Sequence, residues 1–236
     1  MTARLSLPIS VEERISGWTR IQEAQKAKAL GTPKPRPTVT VSRQFGCEGF
    51  PLSMRLQALF EKATGEPWTI LDRALLEHVA EEKQVPLQVL QTLEDPARYL
   101  EAFGFHPRGR ITSDQAFAKL AVSLLHFARS GNAIIIGRGG AVLCQGLENC
   151  FHFRLQASRE WRIASLAKRM DISHEEAARR ERHESRQRDH FVWENLGVDV
   201  ADPSFYDAIF NNERHDTDHV AAAILAYVLA WRKAQG

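Results

Sequence analysis

The stretch SRQFGCEGFPLS (Ser42–Ser53) carries glycines at 46 and 49 where an alternating, strand-like run gives way to a helical pattern. A phosphate loop is built in such a place. Successive backbone N–H groups and a helix N-terminus converge on one anion, and glycines let the backbone come close to it. A lysine then neutralises the β- and γ-phosphates, and a Ser or Thr holds magnesium. Here Gly49-Phe50 stands in place of Lys-Ser/Thr, and Glu48 adds a negative charge inside the expected nest. Pro51 suits a first helical turn, where its missing N–H costs little. Taken alone, a plain tight turn accounts for these residues at least as well.

Two arginine features bear on the same chemistry. IIIGRGG (Ile134–Gly140) is a buried-strand pattern ending in Arg138. An unpaired buried charge is expensive, so Arg138 needs an anion, either an internal carboxylate such as Asp72 or a substrate phosphate. The guanidinium fork fits both. Further on, Arg179, Arg180, Arg182, Arg186 and Arg188 crowd one segment, interleaved with Glu181, Glu184 and Asp189. One reading is a solvated helix laced with i,i+4 ion pairs. The other is a closing lid whose arginines neutralise a phosphoryl group in transfer. Arg182, Arg186 and Arg188 do not share one helical face, which favours partners on different sides.

Other chemistries find less support. There is no G-x-S-x-G elbow and no H-E-x-x-H pair. His174, His183 and His190 are too spread for a metal set, and His152 reads as a structural residue in a strand. Cys47 lies near an expected helix N-terminus, where a thiol can be acidified, but no paired base is identifiable. Trp18, Trp161, Trp193 and Trp231 read as packing residues.

The elements that must position these groups alternate in type. Strands are expected at Thr38–Ser42, Trp68–Asp72, Ala133–Gly137, Phe151–Ala157 and Tyr206–Asn212. Helices are expected at Leu52–Thr64, Asp114–Ser130, Ser158–Met170, His174–Asn195 and Thr217–Ala234, with a broken helical region from Arg73 to about Phe105. Such alternation implies a parallel sheet covered on both faces, with ligands beyond the carboxyl ends of its strands. Arg43, Asp72-Arg73 and Arg138 follow the first three of those ends. Ahead of this body, Ser10 and Glu13 form a capping box for one helix, and the proline-rich GTPKPRP ends it. That helix is read as an appendage packing on the core or on a second subunit, which leaves a homodimer or partner contact open.

At 236 residues, with 44% hydrophobic and 25% charged residues, the chain reads as globular, one medium domain with an appendage or two small domains. A net charge of +2 announces neither a nucleic acid nor a membrane partner. No apolar run approaches the ~20 residues of a membrane span. Cys47, Cys144 and Cys150 form no metal spacing, and with no signal peptide apparent a reducing cytoplasm is the expectation.

Five stretches in order resemble the cytidylate kinase-like family, a nucleoside monophosphate kinase branch of the P-loop NTPases: VTVSRQFGCEGFPLS, ILDRALL, GNAIIIGRGG, HFRLQAS and RQRDHFVWENLGVDVADPSFYDAIFNN. The likeness covers about Thr38 to Ala230. It implies a three-layer α/β fold over 38–236, with an acceptor-binding insertion at 73–112 and a lid region at 171–205 behind the appendage and linker of 1–37. It implies transfer of the ATP γ-phosphoryl, with Mg2+, to a nucleoside monophosphate such as CMP. Carried over residue by residue, Arg43, Gln44, Gly46, Cys47, Glu48 and Gly49 fall on the phosphate loop. Asp72, Arg73 and Arg138 fall on the acceptor side, Arg138 as a catalytic arginine too, and Arg186 and Arg188 fall on lid arginines. The sequence departs from the family's Gly-Ser-Gly-Gly-Arg at Cys47, Glu48 and Phe50, and from the acidic residues of true cytidylate kinases at Gly139 and Ser185. Two alternatives follow: a catalytically silent nucleotide- or phosphate-binding module, and a kinase of a non-nucleotide acceptor.

Overall fold

The computed structural model describes residues 36–72, 115–137 and 139–234. The expected N-terminal helix, the insertion with Arg73, and Arg138 itself lie outside the described residues. Within them, the strands are β1 (Thr38–Arg43), β2 (Thr69–Leu71), β3 (Ala133–Ile136), β4 (Cys150–Gln156) and β5 (Ala208–Asn211). The helices are α1 (Gly49–Thr64), α2 (Gln115–Ser130), α3 (Gly140–Leu143), α4 (Arg159–Met170), α5 (His174–Leu196) and α6 (Thr217–Ala234), with a short 3-10 turn at Pro203–Phe205.

The five strands form one parallel sheet in the order β2-β3-β1-β4-β5. From β1 the chain crosses to one side of the sheet, and from β3 it crosses to the other. The crevice where ligands gather in such sheets therefore opens at the carboxyl ends of β1 and β3. β3 is buried at all four residues, as its unbroken apolar run demands.

Each face has its own core. Val39 and Val41 of β1 pack with Leu52, Leu56 and Phe60 of α1 and with Ile224 and Val228 of α6. On the other face Ile135 and Leu71 meet Leu124 and Leu125 of α2, Val142 of α3 and Leu196 of α5. These fully enclosed side chains each contribute about 1.5–3 kcal/mol by leaving water. The α/β three-layer architecture is as expected.

Several boundaries differ. α1 begins at Gly49 rather than Leu52. The Leu52 amide donates to Glu48 O at 3.0 Å, and Ser53 Oγ donates to Gly49 O at 2.8 Å, so the helical ladder already includes Gly49. β5 starts at Ala208, because Asp202 caps the 3-10 turn through Ser204 N. Trp193 is 62% exposed rather than packed, whereas Trp231 lies edge-on to Phe151 at 5.1 Å.

Candidate functional site

The loop after β1 is shaped by what its backbone already holds. Gln44 N donates to Leu155 O at 3.1 Å, and Gln44 Oε1 accepts from Ala157 N at 3.0 Å, so this residue stitches the loop to the end of β4. Cys47 N donates back to Gln44 O at 3.2 Å, and Glu48 N donates to Asn212 Oδ1 at 2.7 Å. Gly46 lies at φ +101°, and a Cβ there would sit 2.6 Å from Arg162 Cβ and 2.8 Å from Arg162 O. Glycine at 46 is what allows the loop to lie directly on α4.

The bend delivers the chain to α1 with an open N-terminus. Glu48 occupies the N-cap without a side-chain capping bond, and Pro51 brings no N–H to the first turn. The Gly49 and Phe50 amides have no hydrogen-bond partner among the described residues. Two donors and the positive end of the helix dipole thus remain for an anion. Glu48 does not fill that place, contrary to the expectation that it would oppose phosphate from inside the nest. Its Oε2 accepts from Thr217 Oγ1 at 3.0 Å, at the start of α6, where a helix N-terminus favours a carboxylate.

Arg43 crosses the space of the missing lysine. A Cβ on Gly49 would lie 3.0 Å from both Cγ and Cδ of Arg43, and the guanidinium lies against Gly137, at φ +71° after β3. Glycine at 49, the position expected for lysine, makes room for this arginine, which spans the carboxyl ends of β1 and β3.

The helical pair α4–α5 closes on the same loop. Ser158 caps α4 by accepting from Trp161 N, and Ser173 caps α5 by accepting from Glu176 N. From α4, Arg162 Nη1 donates to Phe45 O at 3.0 Å and Arg169 Nη2 to Gly46 O at 2.5 Å. Arg162 also pairs with the buried Glu181 of α5 at 2.5 Å, and Arg159 pairs with it at 2.9 Å. Burial alone would raise the Glu181 carboxyl, but the Ser185 hydroxyl and these arginines hold it below the ordinary carboxylate range. Arg188 lies over the Phe45 ring at 4.7 Å, a cation–π contact.

The arginines of this run divide into two groups. Arg179 pairs with Glu175 and Glu176, and Arg180 with Glu176, along one exposed stripe. Arg188 reaches the loop. Arg182 and Arg186 are exposed and make no ion pair among the described residues, so Arg186 is not brought together with the loop as Arg188 is. Asp72 follows β2 at the carboxyl edge of the sheet, while Arg73 and Arg138, its expected companions, lie outside the described residues.

Cys47 is no acidified thiol. Burial pushes it up to about 11, outweighing the pull of Arg162, Arg169 and Arg154. His152 is structural, as expected: it shares a 2.8 Å hydrogen bond with Thr40 Oγ1, and burial lowers its imidazole to about 4. Among the described residues no group of three or more His, Cys, Asp or Glu could hold a metal ion.

Sequence reasoning missed Arg162 and Arg169, although their seven-residue spacing puts both on one helical face. It missed Asn212, the partner of the Glu48 amide. It also passed over Arg154, a charge in the middle of the apolar strand FHFRLQ.

Comparison with known proteins bears on the same region. A family model described as "Cytidylate kinase-like family" matches residues 38–214. No curated protein matches the chain. Among solved structures, a protein from Eubacterium ventriosum ATCC 27560, described as uncharacterized, is similar at 15% identity and a TM-score of 0.64. That alignment covers 83% of this chain and 99% of the other. It is a likeness of fold. Shikimate kinase from Bacteroides thetaiotaomicron aligns at 10% identity and a TM-score of 0.45, over 82% of this chain and 98% of its own, too loosely to bear on function.

Proposed function

We propose that this chain, which belongs to the cytidylate kinase-like family, transfers the γ-phosphoryl group of ATP to a nucleoside monophosphate of the CMP class. One observation carries the reading. Arg43 lies across Gly49, beside an α1 N-terminus with two unused amides. Phosphoryl transfer asks little covalent chemistry of a protein; it needs positioning and stabilisation of charge on the transferred oxygens. An arginine can supply that charge, and its planar fork binds phosphate oxygens in pairs.

In this reading the Gly49 and Phe50 amides and Arg43 hold the donor phosphates. Arg162, Arg169 and Arg188 fix α4 and α5 against the loop, so that water is excluded where transfer occurs. Asp72, Arg73 and Arg138 serve the acceptor, and Arg186 swings in with α5. Magnesium carried with the nucleotide would neutralise part of the charge on its β- and γ-phosphates. Work in a reducing cytoplasm agrees with three free cysteines.

A second reading rests on a specific observation. The Cys47 and Glu48 amides, which a working phosphate loop would direct at the anion, are spent on Gln44 and Asn212. That suits a nucleotide- or phosphate-binding module with no turnover. Incubating the full chain with Mg–ATP and a panel of monophosphates separates the two. CDP formed from CMP supports the kinase. ATP binding by calorimetry without product supports the module, and a product only with non-nucleotide acceptors redirects the acceptor assignment.

A further inference from the structure

Arg154 of β4 is a buried guanidinium, 6% exposed, with no ion-pair partner among the described residues. The contrast with Arg162 is direct, since that buried arginine has Glu181 against it. Arginine does not shed its proton, so burial cannot neutralise it, and an uncompensated buried charge is costly.

Its known contacts occupy one nitrogen. Arg154 Nη1 donates to Ser42 Oγ at 2.9 Å and approaches the Tyr206 hydroxyl at 3.3 Å. Tyr206 is itself fixed by bonds to Ser42 Oγ at 3.1 Å and Val200 O at 2.7 Å, and its ring lies 5.5 Å from the guanidinium carbon. Among the described residues Nε and Nη2 have no hydrogen-bond partner, yet neither is sealed from solvent as Arg162 Nε is. Two hydroxyls orient the fork and leave two donors over.

Position gives those donors a purpose. Arg154 pairs in register with Ser42, the residue before Arg43, and successive strand side chains point to opposite faces. Arg43 and Arg154 therefore flank the carboxyl edge of the sheet from opposite sides. Arg154 is also near enough to the loop to act on the Cys47 thiol.

We propose that Arg154, oriented by Ser42 and Tyr206, binds a phosphate monoester dianion, the phosphate of the acceptor, through its Nε and Nη2 donors. The acceptor role rests on the phosphotransferase reading; the binding of phosphate does not. Asp189, whose carboxyl burial raises and Arg154 lowers, is a nearby negative charge that does not pair with the guanidinium.

The test titrates inorganic phosphate into the full chain carrying R43M, so that the α1 site does not contribute, and follows binding by calorimetry and thermal shift. Millimolar or tighter binding is expected, weakened at least ten-fold by adding R154M and only partly by R154K, which keeps the charge without the fork. CMP should displace the phosphate and cytidine should not. The Arg154 Nε–H resonance, assigned by its loss in R154K, should shift on titration. No phosphate binding, equal binding with R154M, or no displacement by CMP overturns the proposal. Should R154M fail to fold, D189N decides: phosphate should bind several-fold tighter, and unchanged or weaker binding overturns it. CDP formation is measured in parallel on the chain with Arg43 intact. Phosphate lost with R154M but no CDP from any donor leaves this inference standing and removes the kinase reading; CDP formed with an unchanged KM for CMP in R154M does the reverse.

Discussion

A methyl group is a sharp probe of the loop, because the two glycines in it are needed for different reasons. At Gly46 a Cβ meets the backbone of Arg162, which cannot move without shifting α4. Gly46→Ala should cost about 2–4 kcal/mol in denaturant melts, combining positive-φ strain with overpacking. At Gly49 a Cβ meets only the flexible stem of Arg43, and alanine is the better helix residue by about 1 kcal/mol. Gly49→Ala should therefore leave the melting temperature unchanged or higher while phosphoryl transfer falls about ten-fold. A third residue sets acid stability. His152 titrates near 6.5 when unfolded and about 4 when folded, so between those values the unfolded chain binds the extra proton. Stability should be full above about pH 6.5 and decline by roughly 3 kcal/mol as pH falls toward 4. Urea melts at pH 7 and pH 5 check this, and His152→Gln should flatten the difference. Gly46, Gly49 and His152 were all visible in the sequence. The direction taken by Glu48 was not, since Thr217 lies 169 positions away and no local pattern announces a partner so distant.

At the scale of elements, the docking of α4 and α5 decides how firmly the loop is held. Glu181 is the hinge of that docking: it receives Arg162, Arg159 and the Ser185 hydroxyl. Glu181→Gln leaves Arg162 buried against a neutral amide and should destabilise the fold by about 3 kcal/mol. The wild-type carboxyl is held below its ordinary range, so its contribution is present above that range and is lost as pH falls through the folded value. The starts of α4 and α5 and the end of α5 were legible because Ser158, Ser173 and Gly197 supply caps there. The start of α1 was not, because Glu48 makes no capping bond and Gly49 is a poor helix former. Arg188 illustrates the remaining difficulty. Helical spacing shows that it leaves the ion-pair stripe of Arg179 and Arg180, but only the packing of α5 against the loop puts it over Phe45.

For the whole molecule, alternating strands and helices were enough to anticipate a parallel sheet, and the five strands are parallel with β3 beside β1. Strand order was not derivable from periodicity, which is blind to neighbours. What the assembled sheet adds is the convergence of guanidinium groups on one loop: Arg43 from β1, Arg162 and Arg169 from α4, and Arg188 from α5. Such a field can replace an ammonium group only if it acts on phosphate during transfer. The most direct measurement is CDP formation from Mg–ATP and CMP by the wild-type chain and by Arg43→Met, at matched folded concentration. CDP from the wild type, reduced about 100-fold in the variant with its melting temperature kept, is the predicted result. No CDP from the wild type, or equal rates from both, would contradict it.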